Sequence, residues 1–159
     1  MGPSCSGKST LSKKLFTHLG ESWKLVELDL IEDSYRQEKI DCDETFLIEK
    51  LIDEVNTWLM RGYNVLVDTN MYDEKFVLIE SESKKYILLY CPLNVLYARN
   101  EKRNYLLHRS AQRAKKATRY VEKTFYKFNQ IEPIGLRIDS SKISIEDSFQ
   151  SIINWLLLK

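Results

Sequence analysis

Met1-Gly2-Pro3-Ser4-Cys5-Ser6-Gly7-Lys8-Ser9-Thr10 decides how the rest is read, because Gly2 through Ser9 fit G-x-x-x-x-G-K-[ST], the spacing of a phosphate-binding loop. Glycines let the backbone curl until successive N–H groups face phosphate oxygens, and the positive end of a following helix adds to that field. Lys8 is the expected ligand of the β- and γ-phosphates, and the Ser9 hydroxyl the expected ligand of Mg²⁺. A chance Gly/Ser turn need not open a helix, but Leu11, Leu15 and Leu19 recur at helical spacing up to Gly20. Gly2, Pro3, Ser4, Cys5, Ser6, Gly7, Lys8, Ser9 and Thr10 are therefore read together as a nucleotide-phosphate site.

Such a loop normally follows a buried parallel strand, yet only Met1 precedes it. Without that central strand, its neighbours would carry unpaired N–H and C=O groups. The expectation is that Met1 is the last apolar residue of the strand. Mass spectrometry of the native protein should then find further N-terminal residues.

With 159 residues the chain reads as one domain, 1–159, large enough to bury a proper core. Apolar residues make up 43% and charged residues 30%, ordinary for a globular protein, and the net charge of +1 points to no acidic partner. No apolar run approaches the ~18 residues needed to span a bilayer, and the opening stretch is not a cleavable signal. Cys5, Cys42 and Cys91 are too few and too scattered for a disulfide framework or a zinc site. These features favour a cytoplasmic protein, although one exported by a dedicated bacterial secretion system would read the same way. Charge is unevenly spread: from Arg99 to Lys127, ten Lys/Arg face two acids, a local balance of +8. A solvated helix face would explain this. So would a positive flap, residues 99–127, that closes over phosphates.

The first helix is expected over 9–19. Trp23 to Ile31 reads as a strand carrying Asp29 near its carboxyl end, and 32–43 as polar and irregular. A helix from Glu44 to Arg61 follows, with Leu47, Leu51, Val55 and Trp58 on one stripe, Asp43 as N-cap and Gly62 past its end. Val65-Leu66-Val67, running into Asp68-Thr69-Asn70, and Lys85 to Cys91 read as strands buried on both faces. Helices are expected from Leu93 to about Lys102 and from about Ala111 to Phe128, the latter broken by Pro133. Leu136 to Asp139 is the final short strand, and Ser144-Ile145-Glu146-Asp147 opens the final helix. The alternation predicts an α/β fold: a three-layer, P-loop NTPase-type parallel sheet with helices on both faces, its first strand missing from this chain. In such sheets ligands sit beyond the carboxyl ends of the strands, where the loop, Asp29 and Asp68 all fall.

Asp68 sits where these proteins place an acid that orients the Mg²⁺ shell through water, and the competing reading is a turn cap with Thr69 and Asn70. Asp29 is the candidate general base for a hydroxyl attacking the γ-phosphate, with Asp33 its competitor and Glu32 a weaker one. Arg103, Arg109 and Arg113 are candidates for neutralising charge during phosphoryl transfer, since a guanidinium is planar, forked and permanently charged. Arg113 is also placed among the ATP-binding residues. Arg99, Lys115, Lys116 and Arg119 read as solvent-facing or structural, and His18 and His108 as surface residues. Cys5 lies near Lys8 and a helix N-terminus, where thiolate would be favoured, but reads as a small tolerated residue. Tyr120, Phe125, Tyr126 and Phe128 read as core in preference to a stacking platform for bases.

Gly2 to Thr10, Leu28-Asp29-Leu30-Ile31-Glu32, Val65-Leu66-Val67-Asp68 and Leu89-Tyr90-Cys91-Pro92-Leu93-Asn94-Val95-Leu96-Tyr97-Ala98-Arg99 resemble P-loop kinases of the chloramphenicol phosphotransferase-like group, with zeta toxins and polynucleotide kinases as neighbouring branches. The resemblance covers nearly the whole chain. It implies ATP and Mg²⁺, transfer of the γ-phosphoryl to a hydroxyl, Lys8 and Ser9 at the phosphates and metal, Asp29 as base, and Arg103 or Arg109 in a lid. The acceptor is left open. A small hydroxyl-bearing molecule ranks first, a polynucleotide or nucleotide second, and a degenerate, non-catalytic NTP-binding protein third.

Overall fold

The computed structural model describes residues 1–131 and 135–157. The break expected at Pro133 lies outside the described residues. Among them the elements run α1 (Lys8–Leu19), β1 (Trp23–Glu27), α2 (Leu28–Gln37), α3 (Glu44–Met60), β2 (Asn64–Asp68), a 3₁₀ turn (Glu74–Leu78), β3 (Ile87–Tyr90), α4 (Leu93–Leu106), α5 (Ala111–Asn129), β4 (Leu136–Asp139) and α6 (Ile145–Leu157). The fold is α/β with parallel strands, and it is organised as two compact units, residues 9–84 and residues 1–8 with 85–159.

In the 9–84 unit, β1 and β2 pair in parallel from Trp23↔Asn64 to Glu27↔Asp68. That register puts two acids side by side at the carboxyl ends of the strands. Leu47, Ile48, Leu51, Ile52 and Val55 turn the inner face of α3 into a core with Val26 and Leu28. The helix begins where expected, because the Asp43 carboxylate accepts the Phe46 amide at 2.8 Å. That satisfies one of the amides a helix start leaves open.

The expected strand over Trp23–Ile31 is corrected here. β1 stops at Glu27, and the stretch read as strand end and polar loop is helical from Leu28 to Gln37. Leu28 and Leu30 would share a face in a strand. Instead Leu28 and Ile31 are buried with Tyr35 packed on the same core, the i, i+3, i+7 rhythm of a helix, while Leu30 is 61% exposed. Asp29 is therefore a residue of the first turn of α2, not of a strand.

In the other unit β3 and β4 pair in parallel from Ile87↔Leu136 to Tyr90↔Asp139. On the opposite edge of β3 the Met1 amine donates to Ile87 O and the Leu89 amide to Met1 O, both at 2.9 Å. Helices α4 and α5 pack as a hairpin that holds the basic segment. α4 runs to Leu106, past the expected end near Lys102, and His108 makes the bend with φ 48°. The Ser144 hydroxyl accepts the Asp147 amide at 3.0 Å and starts α6 as the sequence predicts. No described helix is long and apolar enough to cross a membrane.

Candidate active site

The phosphate loop occupies the unit that holds residues 1–8. Gly2 is forced by space: a Cβ there would sit 2.6 Å from Leu89 O, a backbone atom with nowhere to go. Gly7 has φ 96° with open space where a Cβ would stand, so its need is conformational. Cys5 adopts the left-handed region at φ 66°, rare for a residue with a side chain. Alternation of this kind gathers backbone N–H groups into an anion-binding hollow. The Ser6 amide is used within the loop, donating to Pro3 O at 3.2 Å, and the Ser4 amide donates to Thr124 Oγ1 at 3.0 Å. The amides of Cys5, Gly7 and Lys8 have no acceptor among the described residues, and half-buried Lys8 has no ion-pair partner there either.

The reverse side of the loop is tied down. Arg99 Nη1 donates to Cys5 O at 3.4 Å, to Ser6 O at 3.3 Å and to Ser140 Oγ at 3.1 Å, while Nη2 donates to Ser140 O at 2.7 Å. The Ser140 hydroxyl in turn donates to Ser6 O at 2.7 Å. Cys5 packs against a cluster of Cys91, Leu96 and Val121, where burial pushes the Cys91 thiol up from its ordinary value. The Cys5 side chain serves in packing, and its backbone shapes the loop.

In the 9–84 unit, Asp68 is 6% exposed. Its Oδ2 accepts from Ser12 Oγ at 3.1 Å, and the same hydroxyl lies 3.2 Å from Ser9 O. Oδ1 of Asp68 is buried without a partner among the described residues. A carboxylate oxygen in that state lacks the donor or cation that buried oxygens normally have. The open Asp68 oxygen thus fits a magnesium ion held mainly by phosphate and water, for which one carboxylate suffices, and Ser9 is the hydroxyl that the motif supplies beside it. Among the described residues no group of three His, Cys, Asp or Glu side chains forms a metal cage.

Asn70 follows Asp68 and Thr69 into a buried turn and donates from Nδ2 to Asp29 Oδ1 at 3.4 Å. Asp33 faces elsewhere: Arg36 Nη1 lies 3.5 Å from its carboxylate, while Nη2 of the same guanidinium pairs with Glu32. An acid the motifs do not flag is Glu27, the register partner of Asp68, whose carboxylate lies 3.5 Å from Lys13 Nζ. Only strand pairing could have pointed to it.

On the α4–α5 hairpin, the side chains of Arg103 and Arg113 are exposed and make no hydrogen bond or ion pair among the described residues. Arg109 is held by Asn104, Nη1 to Oδ1 at 3.0 Å. Among the aromatic residues Phe128 is buried, as a core reading requires, but Tyr126 is 58% exposed.

A family model described as an AAA domain matches residues 1–123. The chain belongs to the AAA domain family. No curated protein sequence matches this AAA-domain chain. Its fold is similar to a gluconokinase from Sinorhizobium meliloti 1021, with TM-score 0.66, 16% identity, and coverage of 98% of this chain and 88% of that one. It is similar also to the shikimate kinase from Bacteroides thetaiotaomicron, with TM-score 0.62, 19% identity, and coverage of 99% and 95%. The AAA-domain chain therefore has the P-loop kinase fold.

Proposed function

We propose that the protein is an ATP-dependent phosphotransferase that moves the γ-phosphoryl group to a hydroxyl of a small-molecule acceptor. The observation that carries this reading is the phosphate loop, with its uncommitted amides at Cys5, Gly7 and Lys8 opening directly into α1. Those amides and the Lys8 ammonium bind the triphosphate. Ser9 and, through water, Asp68 would hold Mg²⁺, which neutralises charge on the phosphate oxygens when bound. Asp29, oriented by Asn70, takes the proton of the attacking hydroxyl. As the new P–O bond forms, the bond to the β-phosphate oxygen breaks and ADP leaves. Arg103 and Arg113 are free to balance the transferring charge, and Arg109 shapes the hairpin bend through Asn104.

The resemblance to the chloramphenicol phosphotransferase-like group fits a small acceptor. A polynucleotide acceptor is disfavoured by charge, since residues 9–84, which supply Asp29, carry seventeen Asp/Glu against nine Lys/Arg. A polyanion would meet repulsion there.

An ATP-consumption screen over hydroxyl metabolites, nucleosides and oligonucleotide ends tests the reading, with Lys8→Ala as the blank. Turnover with a small alcohol that disappears in Lys8→Ala supports it. Phosphorylation of oligonucleotide ends alone would move the assignment to an end kinase. ATP binding without any acceptor would leave a nucleotide-binding protein only.

A further inference from the structure

We propose that Arg99 and Ser140 are positioning residues that set the shape of the phosphate loop from behind, and this inference rests on the loop being a triphosphate site. A loop that turns amides toward an anion must turn carbonyls away from it. Those carbonyls need donors wherever water is excluded, and Ser6 is fully buried. The donors here are not backbone amides. They are one guanidinium and one hydroxyl, brought from positions 93 and 134 residues away along the chain.

The geometry is a closed triangle. Arg99 reaches both Cys5 O and Ser6 O, Ser140 Oγ donates to Ser6 O, and Arg99 grips Ser140 at its hydroxyl and its carbonyl. A guanidinium presents several N–H donors in one rigid plane, so it can serve three residues at once. A lysine ammonium cannot hold that spacing. The clamp grips the segment that carries Cys5 in its strained left-handed conformation, between the Ser4 amide tied to Thr124 and the free Gly7 amide. Releasing the carbonyls lets Cys5 relax toward negative φ, which turns the Cys5 and Gly7 amides out of the hollow. Arg99 acts on phosphate through the loop and touches no reacting atom.

Nothing in the sequence singles out this pair. Arg99 is one of ten basic residues in its segment, and Ser140 is a serine after a short strand.

Inorganic tripolyphosphate, which has no base or sugar, is the probe. Its affinity and that of ATP are measured by calorimetry for wild type, Arg99→Lys, Ser140→Ala and the double variant, with thermal melting of each. The expected result is that Arg99→Lys weakens tripolyphosphate and ATP by the same factor, about tenfold or more, as for a charge-assisted hydrogen-bond set. Ser140→Ala should weaken both by about threefold, and the double variant should lose less than the product of the two, because the pair acts as a unit. Melting temperatures of the variants that fold should stay near wild type. If tripolyphosphate affinity is unchanged while ATP affinity falls, Arg99 acts on the nucleoside and the proposal is overturned. If Arg99→Lys does not fold, Ser140→Ala decides, and unchanged tripolyphosphate affinity there overturns it too. Failure of the wild type to bind tripolyphosphate would instead remove the phosphate-site reading itself.

Discussion

Ser12 Oγ lies 3.1 Å from Asp68 Oδ2 and 3.2 Å from Ser9 O, so one hydroxyl on α1 touches both residues assigned to the metal. A hydroxyl has a single hydrogen, which these two acceptors share. The consequence is that Asp68 is aimed by Ser12 and left with Oδ1 open. Ser12→Ala should keep activity at saturating MgCl₂ but raise the magnesium concentration for half-maximal rate about tenfold or more, from the loss of one charge-assisted hydrogen bond. Asp68→Ala should leave little turnover at any magnesium concentration. Initial rates across a MgCl₂ series check both, and an unchanged magnesium profile in Ser12→Ala would sink the link.

Asp29 and Asp33 are separable by what each already holds. Asp33 is paired with Arg36, whereas among the described residues Asp29 receives only the amide of Asn70. Asp29→Asn should lower kcat by about 10²–10⁴, the usual range for a general base, with ATP affinity intact. Asp33→Asn should stay within about twofold of wild type, as exposed pairs contribute little. The reverse pattern in steady-state kinetics would move the base to Asp33.

The two loop glycines should fail in different ways. Gly2→Ala drives a methyl to 2.6 Å from Leu89 O, against β3, and overpacking of that kind costs about 1–3 kcal/mol. For a chain of this length that lowers the melting temperature by roughly 2–12 °C. Gly7→Ala meets no atom within 4 Å and carries only the strain of φ 96°. It should melt roughly 2–8 °C below wild type, from the roughly 1–2 kcal/mol that left-handed backbone costs, yet bind ATP much more weakly. Calorimetric melting beside ATP titration separates the two, and equal losses in both assays for both variants would contradict the distinction.

What is legible in the sequence, and what is hidden, follows the range of the forces involved. The loop, the Asp43 and Ser144 caps and the β4 limits depend on residues within a few positions of one another, and all stand where local chemistry puts them. The passage from β1 to α2 reads wrongly because Leu25, Val26, Leu28 and Leu30 mimic alternation, while Leu28, Ile31 and Tyr35 carry an equally good helical rhythm. Only packing on α3 decides between them, and packing is not written locally. Glu27 beside Asp68 and Arg99 behind the loop are hidden for the same reason: each acquires its role from a partner far along the chain.

The α4–α5 hairpin should weaken at alkaline pH through one hydrogen bond. Tyr97 donates its hydroxyl to Glu122 Oε1 at 2.5 Å, and this bond, aided by desolvation, pushes the Tyr97 pKa from 10.0 up to about 12. The neutral phenol is therefore the form that the folded protein favours. Below pH 10 tyrosine is neutral in both folded and unfolded chains, and the bond contributes in full. As pH rises from 10 toward 12, the unfolded chain releases the proton first, so the contribution is progressively lost. Other groups titrate in that window as well, which makes the difference between wild type and Tyr97→Phe the informative quantity. The phenylalanine variant should be the less stable protein at pH 8. Its urea midpoint should then converge on that of wild type as pH climbs to 12, because it has no such proton to lose. Midpoints that stay a constant distance apart across the window would mean that the Tyr97–Glu122 bond is not formed in solution.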